Sequence, residues 1–112
     1  MASDQFIKGM LTPIVLKLLQ EEGRMYGYEI TRRVKTMTGE RLKLTEGALY
    51  PCLHKLEGEG IITAIYEEVD NRKRKYYELT RKGKNEAVSM LESIQDFWNQ
   101  MALIFNLKTA KG

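Results

Sequence analysis

Seven basic side chains lie within the thirteen residues Arg72–Lys84, which contain one acid, Glu78, and so have a net charge of +6. The remainder of the chain has 11 basic and 14 acidic residues and a net charge of −3. A localised positive field on a small domain is typical of a protein that binds a polyanion such as nucleic acid. The alternative for this cluster alone is a solvated charge run without a partner.

A second group of polar side chains follows Thr45, within the segment Thr45–Gly60. Leu49, Leu53 and Leu56 recur there at i, i+4 and i+7, which predicts an amphipathic helix over Thr45–Glu57 with Thr45 as its N-cap. The opposite face of this helix carries small, polar and basic residues: Gly47, Tyr50, Pro51, His54 and Lys55. Such a face suits close approach to a groove, and we interpret the helix as one that enters a DNA major groove.

Only a few of these side chains can read a base. Lys55 or protonated His54 can reach O6 and N7 of guanine, and Pro51 can contact a thymine methyl group. The alternatives are that His54 is an exposed helix residue without a special role and that Tyr50 packs against the wing, the β-hairpin predicted to follow this helix. Because this set is small, part of the specificity is expected to come from DNA shape.

The composition argues against catalysis and metal binding. Cys52 and His54 are the only cysteine and histidine, so no internal disulfide or metal-ligand set is expected. No paired acid and base, and no glycine-rich phosphate loop, is present at a recognised spacing. We therefore predict a non-enzyme that needs no metal or cofactor. The absence of a long apolar run and of a secretory signal predicts a cytoplasmic protein without a membrane span.

Two helices are predicted to precede the Thr45–Glu57 helix. Gln5–Glu22 has a broad apolar stripe, and Pro13 within it implies either a position near the first turn or a bend. Met25–Met37 has an inward face at helical spacing, and its N-terminus near Gly27 and Tyr28 either donates backbone N–H groups to a phosphate or merely makes a tight turn. Its outward basic residues are weaker phosphate-contact candidates: Arg32, Arg33 and Lys35.

The basic cluster begins in a predicted β-hairpin. Ile61–Val69 and Lys75–Leu79 are rich in β-branched and aromatic residues and are joined by a turn at Asp70–Lys73. The tip of this hairpin is expected to carry Arg72, Lys73, Arg74 and Lys75. Tyr76 and Tyr77 should point to opposite faces, and the segment Glu40–Leu44 is a candidate short third strand beside the hairpin.

A long helix is predicted from its N-cap Thr80 to about Leu107. Apolar residues follow a heptad spacing along it for about three heptads, which is typical of a helix that packs against a partner helix. These residues are Ala87, Leu91, Ile94, Trp98, Met101 and Phe105. A single small core can hardly cover a stripe of this length, so we predict a homodimer. The expected organisation is a winged helix-turn-helix domain over 1–79 followed by a dimerisation helix over 80–112.

Three segments resemble the PadR family of bacterial transcriptional regulators. They are YGYEI at Tyr26–Ile30, EGALYPCLHKLEGEGII at Glu46–Ile62 and RKRKYYELTRKG at Arg72–Gly83. The middle segment is similar to the family pattern G-x-LY-x-x-L-x-x-LE-x-x-G-(I/L)-I at every anchor position. The resemblance covers about Lys8 to Gly83 in order and spacing, and the single helix after the wing resembles the short subfamily.

The resemblance implies a mainly α winged helix-turn-helix with a small β-hairpin, and a homodimeric repressor that binds a palindromic operator in double-stranded DNA. Carried over by motif position, the DNA-contact candidates are Tyr28, Thr45, Gly47, Tyr50, Pro51, His54, Lys55, Arg72, Lys73, Arg74 and Lys75. In some short members a planar aromatic effector binds at the dimer interface, which makes Phe97, Trp98 and Met101 candidate effector-binding residues. The alternative for Trp98 is buried dimer core, and the alternative for the whole chain is a winged-helix module that binds another protein.

Overall fold

The computed structural model describes residues 2–107, and these form four helices and a three-stranded antiparallel sheet, a winged helix-turn-helix as predicted. The helices are α1 at Ala2–Glu22, α2 at Gly27–Met37, α3 at Glu46–Gly58 and α4 at Arg81–Phe105. The strands are β1 at Arg24–Tyr26, β2 at Ile62–Val69 and β3 at Arg72–Leu79. Within the described range, no helix is long and apolar enough to cross a membrane.

The hydrophobic core lies between the first three helices, the inner face of the sheet and the first turns of α4. Its largest fully buried side chains come from the apolar stripes of these elements: Val15, Leu16, Leu19, Ile30, Leu49, Leu53 and Ile62. Ala87 of α4 is also fully buried. The start of α4 therefore belongs to the same core as residues 2–79, and the division at residue 80 stays a prediction. Residues 1 and 108–112 lie outside the described part of the chain.

Helix α1 continues through Pro13. Because the helix begins at Ala2, Pro13 lies well beyond the first turn, and the first-turn alternative for this proline is wrong. Gly23 ends the helix with φ +87° and donates its backbone N–H to the carbonyl of Leu19 at 3.0 Å. The left-handed φ at Gly23 lets the chain turn sharply into β1.

The third strand of the sheet is β1, and the prediction of a strand at Glu40–Leu44 is wrong. The strand order is β1-β3-β2, with Tyr26 paired to Tyr76 in the first ladder. In the α2–α3 loop, Glu40 has φ +66°, and the Leu42 amide donates to the Thr38 hydroxyl at 3.0 Å. That side-chain contact uses an amide that a strand would need for its ladder, and the loop turns instead of extending.

The hairpin turn is shorter than predicted. Asp70 and Asn71 alone form the turn, with φ of +50° and +63°, and β3 begins at Arg72. Two central residues with positive φ match the twist of the flanking strands, and Asp and Asn tolerate this conformation. The segment Arg72–Lys75 therefore runs along β3 away from the tip, and the prediction that all four of its side chains sit at the tip is wrong.

Helix α4 begins and ends at recognisable caps. The Gly83 amide donates to the hydroxyl of Thr80 at 3.0 Å, as the predicted N-cap requires, and Asn106 ends the helix in a left-handed conformation. Helix α4 packs on α1 and on β3 of the sheet. In its second half most of the large apolar side chains are exposed to solvent, although Ala102 is buried.

Candidate nucleic-acid interface

Helix α3 presents the exposed polar face that its leucine spacing predicts. The Thr45 hydroxyl accepts from the Ala48 amide at 3.2 Å and caps the helix. Leu49, Leu53 and Leu56 are buried in the core, so the other side of the helix is turned outward. The structure brings together on this outward face the predicted residues Gly47, Tyr50, Pro51, His54 and Lys55, all of which are exposed.

Tyr50 packs on the N-terminus of α2. A Cβ built on Gly27 would lie 2.5 Å from the Tyr50 hydroxyl oxygen and 2.9 Å from the ring carbon that bears it. Gly27 is buried and is required by this contact, which neither alternative for Gly27 had anticipated. Burial, with a smaller contribution from Glu46, raises the pKa of Tyr50. A phenolic hydroxyl can both donate and accept a hydrogen bond.

The N-terminus of α2 is partly occupied by its own side chains. The Tyr26 amide donates to a carboxylate oxygen of Glu29 at 3.0 Å, which satisfies one backbone donor in the first turn. Tyr28 projects into solvent, with 52% of its surface exposed. A tyrosine hydroxyl in this position can donate to a backbone phosphate, which is the usual role of the first helix in a helix-turn-helix.

A shallow groove of about 600 Å³ runs beside α2 toward the start of α3. Arg32, Lys35 and Lys43 line it together with Tyr28, and one acid, Glu40, lies 3.5 Å from the Lys35 amine. Lys43 was missed by the sequence reasoning, because nothing in its local pattern distinguishes it from other loop lysines. Arg33, by contrast, points away from this groove toward Glu22, at 3.8 Å.

The four basic residues of the wing divide into two pairs. Arg72 and Lys73, next to the turn, are exposed. Arg74 lies with its guanidinium 4.3 Å from the centre of the Tyr26 ring, and the Lys75 amine lies 3.5 Å from a carboxylate oxygen of Glu57 on α3. The structure thus leaves the first pair directed to solvent, whereas Arg74 packs on Tyr26, the N-cap of α2, and Lys75 pairs with α3.

The residues of the predicted dimer seam on α4 differ in how far they are exposed to solvent. Ala87 is buried within the chain, and Leu91, Ile94 and Met101 are partly buried. The remaining two seam residues, Trp98 and Phe105, have 58% and 63% of their surfaces exposed. Further exposed apolar side chains lie on the same half of the helix, at Phe97, Leu103 and Ile104, and just beyond its end, at Leu107.

The candidate effector residues are not gathered into one pocket within a single chain. Trp98 and Met101 line a recess of about 50 Å³ with Ala102 and Leu107, whereas Phe97 lies outside it. A cavity that holds benzene measures about 150 Å³, so this recess alone is too small for a planar aromatic ligand.

The fold and these surfaces define a winged-helix DNA-binding protein, and its relatives have the same architecture. A transcriptional regulator from Clostridium thermocellum superposes with a TM-score of 0.76 at 29% identity, covering 95% of this chain and 99% of that one. An uncharacterized protein of Lysinibacillus sphaericus is 34% identical over 108 residues, which are 96% of this chain and 94% of the relative.

Residues 15–89 match the sequence model of the transcriptional regulator PadR-like family, and the chain belongs to this family. PadR of Bacillus subtilis, solved in complex with operator DNA, superposes with a TM-score of 0.63 at 34% identity. The superposition covers 72% of this chain and 46% of that protein. The members of the family are DNA-binding transcriptional regulators rather than enzymes, and that class applies to this chain.

Proposed function

We propose that this protein is a sequence-specific, homodimeric repressor that binds a palindromic operator. The observation that carries the proposal is the outward face of α3. A capped helix, held by three buried leucines, presents Gly47, Pro51, His54 and Lys55 to solvent without covering side chains. Gly47 and Pro51 add little bulk to that face, which suits insertion into a major groove about 12 Å wide.

The contacts divide into those that position the protein and those that read sequence. Arg72, Lys73 and Tyr28 are exposed and can reach phosphates on either side of the reading helix, which gives affinity that falls with salt. Lys55 and His54 are the side chains able to donate to guanine, and Pro51 can pack on a thymine methyl group. Thr45, at the cap of α3, completes this set at the end of the helix that enters the groove.

The homodimer is supported by the second half of α4. Trp98 and Phe105 are seven residues apart and share one face of the helix, and 58% and 63% of their surfaces are exposed in a single chain. Monomeric soluble proteins rarely leave contiguous apolar patches of this kind in water. Two-fold pairing of α4 helices buries the patch and places two reading helices to face half-sites about 34–36 Å apart.

A planar aromatic effector is proposed to bind where two α4 helices meet. Trp98 offers a flat ring and Met101 an adaptable side chain for such a ligand. Because the recess at these residues is only about 50 Å³, the site must be completed by the second chain. Binding there releases the operator if the ligand favours a different spacing of the two reading helices.

The test is selection of bound duplexes from a random pool, followed by titration of the selected site. A two-fold symmetric sequence with half-sites about one helical turn apart is expected. Lys55→Ala should lose discrimination at one base position in each half-site, by roughly 1–3 kcal/mol. Arg72→Ala is the matched control, because it should weaken all duplexes equally. If no duplex binds saturably at low salt, the proposal fails and a protein-interaction module becomes the better interpretation.

A further inference from the structure

Five side chains on the outer face of the sheet form a continuous ladder, namely Arg24, Tyr26, Glu67, Arg74 and Tyr76. Arg24 pairs with the Glu67 carboxylate and lies 4.8 Å above the centre of the Tyr76 ring. The Tyr76 and Tyr26 rings meet edge to face at 5.5 Å between centroids, and the Arg74 guanidinium covers Tyr26 at 4.3 Å. Two adjacent tyrosine rings thus lie between two arginines, and Glu67 of β2 pairs with the first of these arginines.

The pairing of the strands accounts for this arrangement. Tyr26 is opposite Tyr76, and Glu67 is opposite Arg74, so all four side chains emerge on the same face of the sheet. That face is the one opposite the buried Tyr77 and therefore does not build the hydrophobic core. The ladder must have another role, since its members contribute little buried apolar area.

The ladder joins the wing to the helix-turn-helix. Tyr26 is both the last residue of β1 and the N-cap of α2, so its ring moves with that helix. Arg74 is separated from the exposed Arg72 by a single residue on β3. A displacement of Arg74 from the Tyr26 ring would therefore let the hairpin swing relative to α2 and α3.

We infer that Tyr26 and Arg74 are positioning residues that hold the wing where Arg72 and Lys73 meet the DNA backbone. This inference rests on the proposed DNA binding and goes beyond it. Tyr26 carries no positive charge and lies half-buried beneath Arg74, so its effect on DNA binding is indirect. It is exerted through the position of the wing. In this inference Arg74 stabilises the wing by packing on the Tyr26 ring. The alternative is that Arg74 itself contacts a DNA phosphate.

The experiment measures the dissociation constant of the full-length protein for a labelled random-sequence duplex over a range of salt concentrations. Each lost phosphate contact lowers the slope of log K against log salt by about 0.9, so every slope change is expressed per protomer of the proposed dimer. Tyr26→Leu removes no charge, yet it should lower the slope by roughly 1–2, because Arg72 and Lys73 lose their phosphates. Tyr26→Phe keeps the ring and should retain the wild-type slope.

Arg74→Ala separates positioning from direct contact. A residue that only touches a phosphate lowers the slope by about 0.9, as Arg72→Ala should. Arg74→Ala is expected to exceed that value and to have little further effect in the Tyr26→Leu background, because both changes break the same link. The melting temperature and circular dichroism of each variant establish that it is folded at the assay temperature.

Three outcomes overturn the inference. A wild-type slope for folded Tyr26→Leu, or a fall of only about 0.9 for Arg74→Ala, would make Arg74 an ordinary phosphate contact. Additive effects of the two changes would show that they do not share a link. In all three outcomes the wild-type protein still binds DNA, so only the inference about Tyr26 and Arg74 fails. If the wild-type protein binds no duplex, the proposed function fails as well. If Tyr26→Leu does not fold, the Arg74→Ala slope alone decides.

Discussion

Replacing Gly83 by alanine should destabilise the protein although the substitution favours a helix. Gly83 lies in the first turn of α4 against the chain segment that enters β2, and a Cβ built there would lie 1.9 Å from the backbone carbonyl oxygen of Ile61. Real Cβ atoms essentially never come within 3.0 Å, so α4 and Ile61 would have to separate by at least 1.1 Å. The obstacle is backbone, which cannot rotate away as a side chain can.

Moving α4 away from Ile61 also lengthens the hydrogen bonds between Ile61, Thr80 and Gly83. The Ile61 carbonyl accepts from the Thr80 amide at 3.0 Å, and the Thr80 hydroxyl caps Gly83. Overpacking costs about 1–3 kcal/mol, a weakened hydrogen bond costs about 0.5–1.5 kcal/mol, and the gain in helix propensity is about 1 kcal/mol. The net expectation for Gly83→Ala is a loss of about 1–3 kcal/mol, or roughly 5–15 °C in melting temperature.

Gly9→Ala is the matched control. Gly9 also lies within a helix, but a Cβ there would have no other atom within 4 Å, so only the propensity gain applies. Thermal and urea unfolding of both variants should be measured at one protein concentration, since stability of a dimer depends on concentration. If Gly83→Ala is as stable as the wild type, the close approach of α4 to Ile61 is not a feature of the protein in solution.

Two further predictions concern the interface and the dimer. Gly27→Ala should displace the Tyr50 ring and weaken operator binding by roughly tenfold, about 1.4 kcal/mol, in a fluorescence anisotropy titration. If Gly27→Ala weakens binding equally in a Tyr50→Leu background, the contact with Tyr50 is not the cause. Trp98→Glu should shift the protein toward monomer in sedimentation velocity, because a carboxylate is costly to bury at an apolar seam. Gln100→Glu, off the seam, adds the same charge and should leave the dimer intact.

Local patterns were sufficient to predict α3 and its exposed face. Thr45, the leucine repeat and the terminal glycines act within a few residues of one another, so the capped helix follows from the sequence of that segment alone. Strand β1 is different, because three residues, Arg24–Tyr26, are too short to show an alternating pattern. It exists through its pairing with β3, whose residues are at least fifty positions away in sequence.

The candidate site was predicted less completely than the fold, because several of its contacts join residues that are distant in sequence. Residue types identified the basic segment Arg72–Lys75, but the two-residue turn sets the register that separates its exposed half from its packed half. Likewise, nothing near Gly27 in sequence indicates that the Tyr50 ring lies against it. Such contacts depend on the relative placement of elements that are distant along the chain.

The division of the basic segment changes how specificity is expected to arise. Arg74 lies over the Tyr26 ring and Lys75 lies beside Glu57 of α3, which leaves fewer cations free for phosphates than the net charge of +6 over Arg72–Lys84 suggests. The reading face of α3 is similarly sparse, with Lys55 and His54 as its main donors to bases. When each half-site supplies few contacts, discrimination must depend on holding several of them in one geometry. In the proposed dimer, we therefore expect the wing angle and the spacing of the two α3 helices to be as important to recognition as any single side chain.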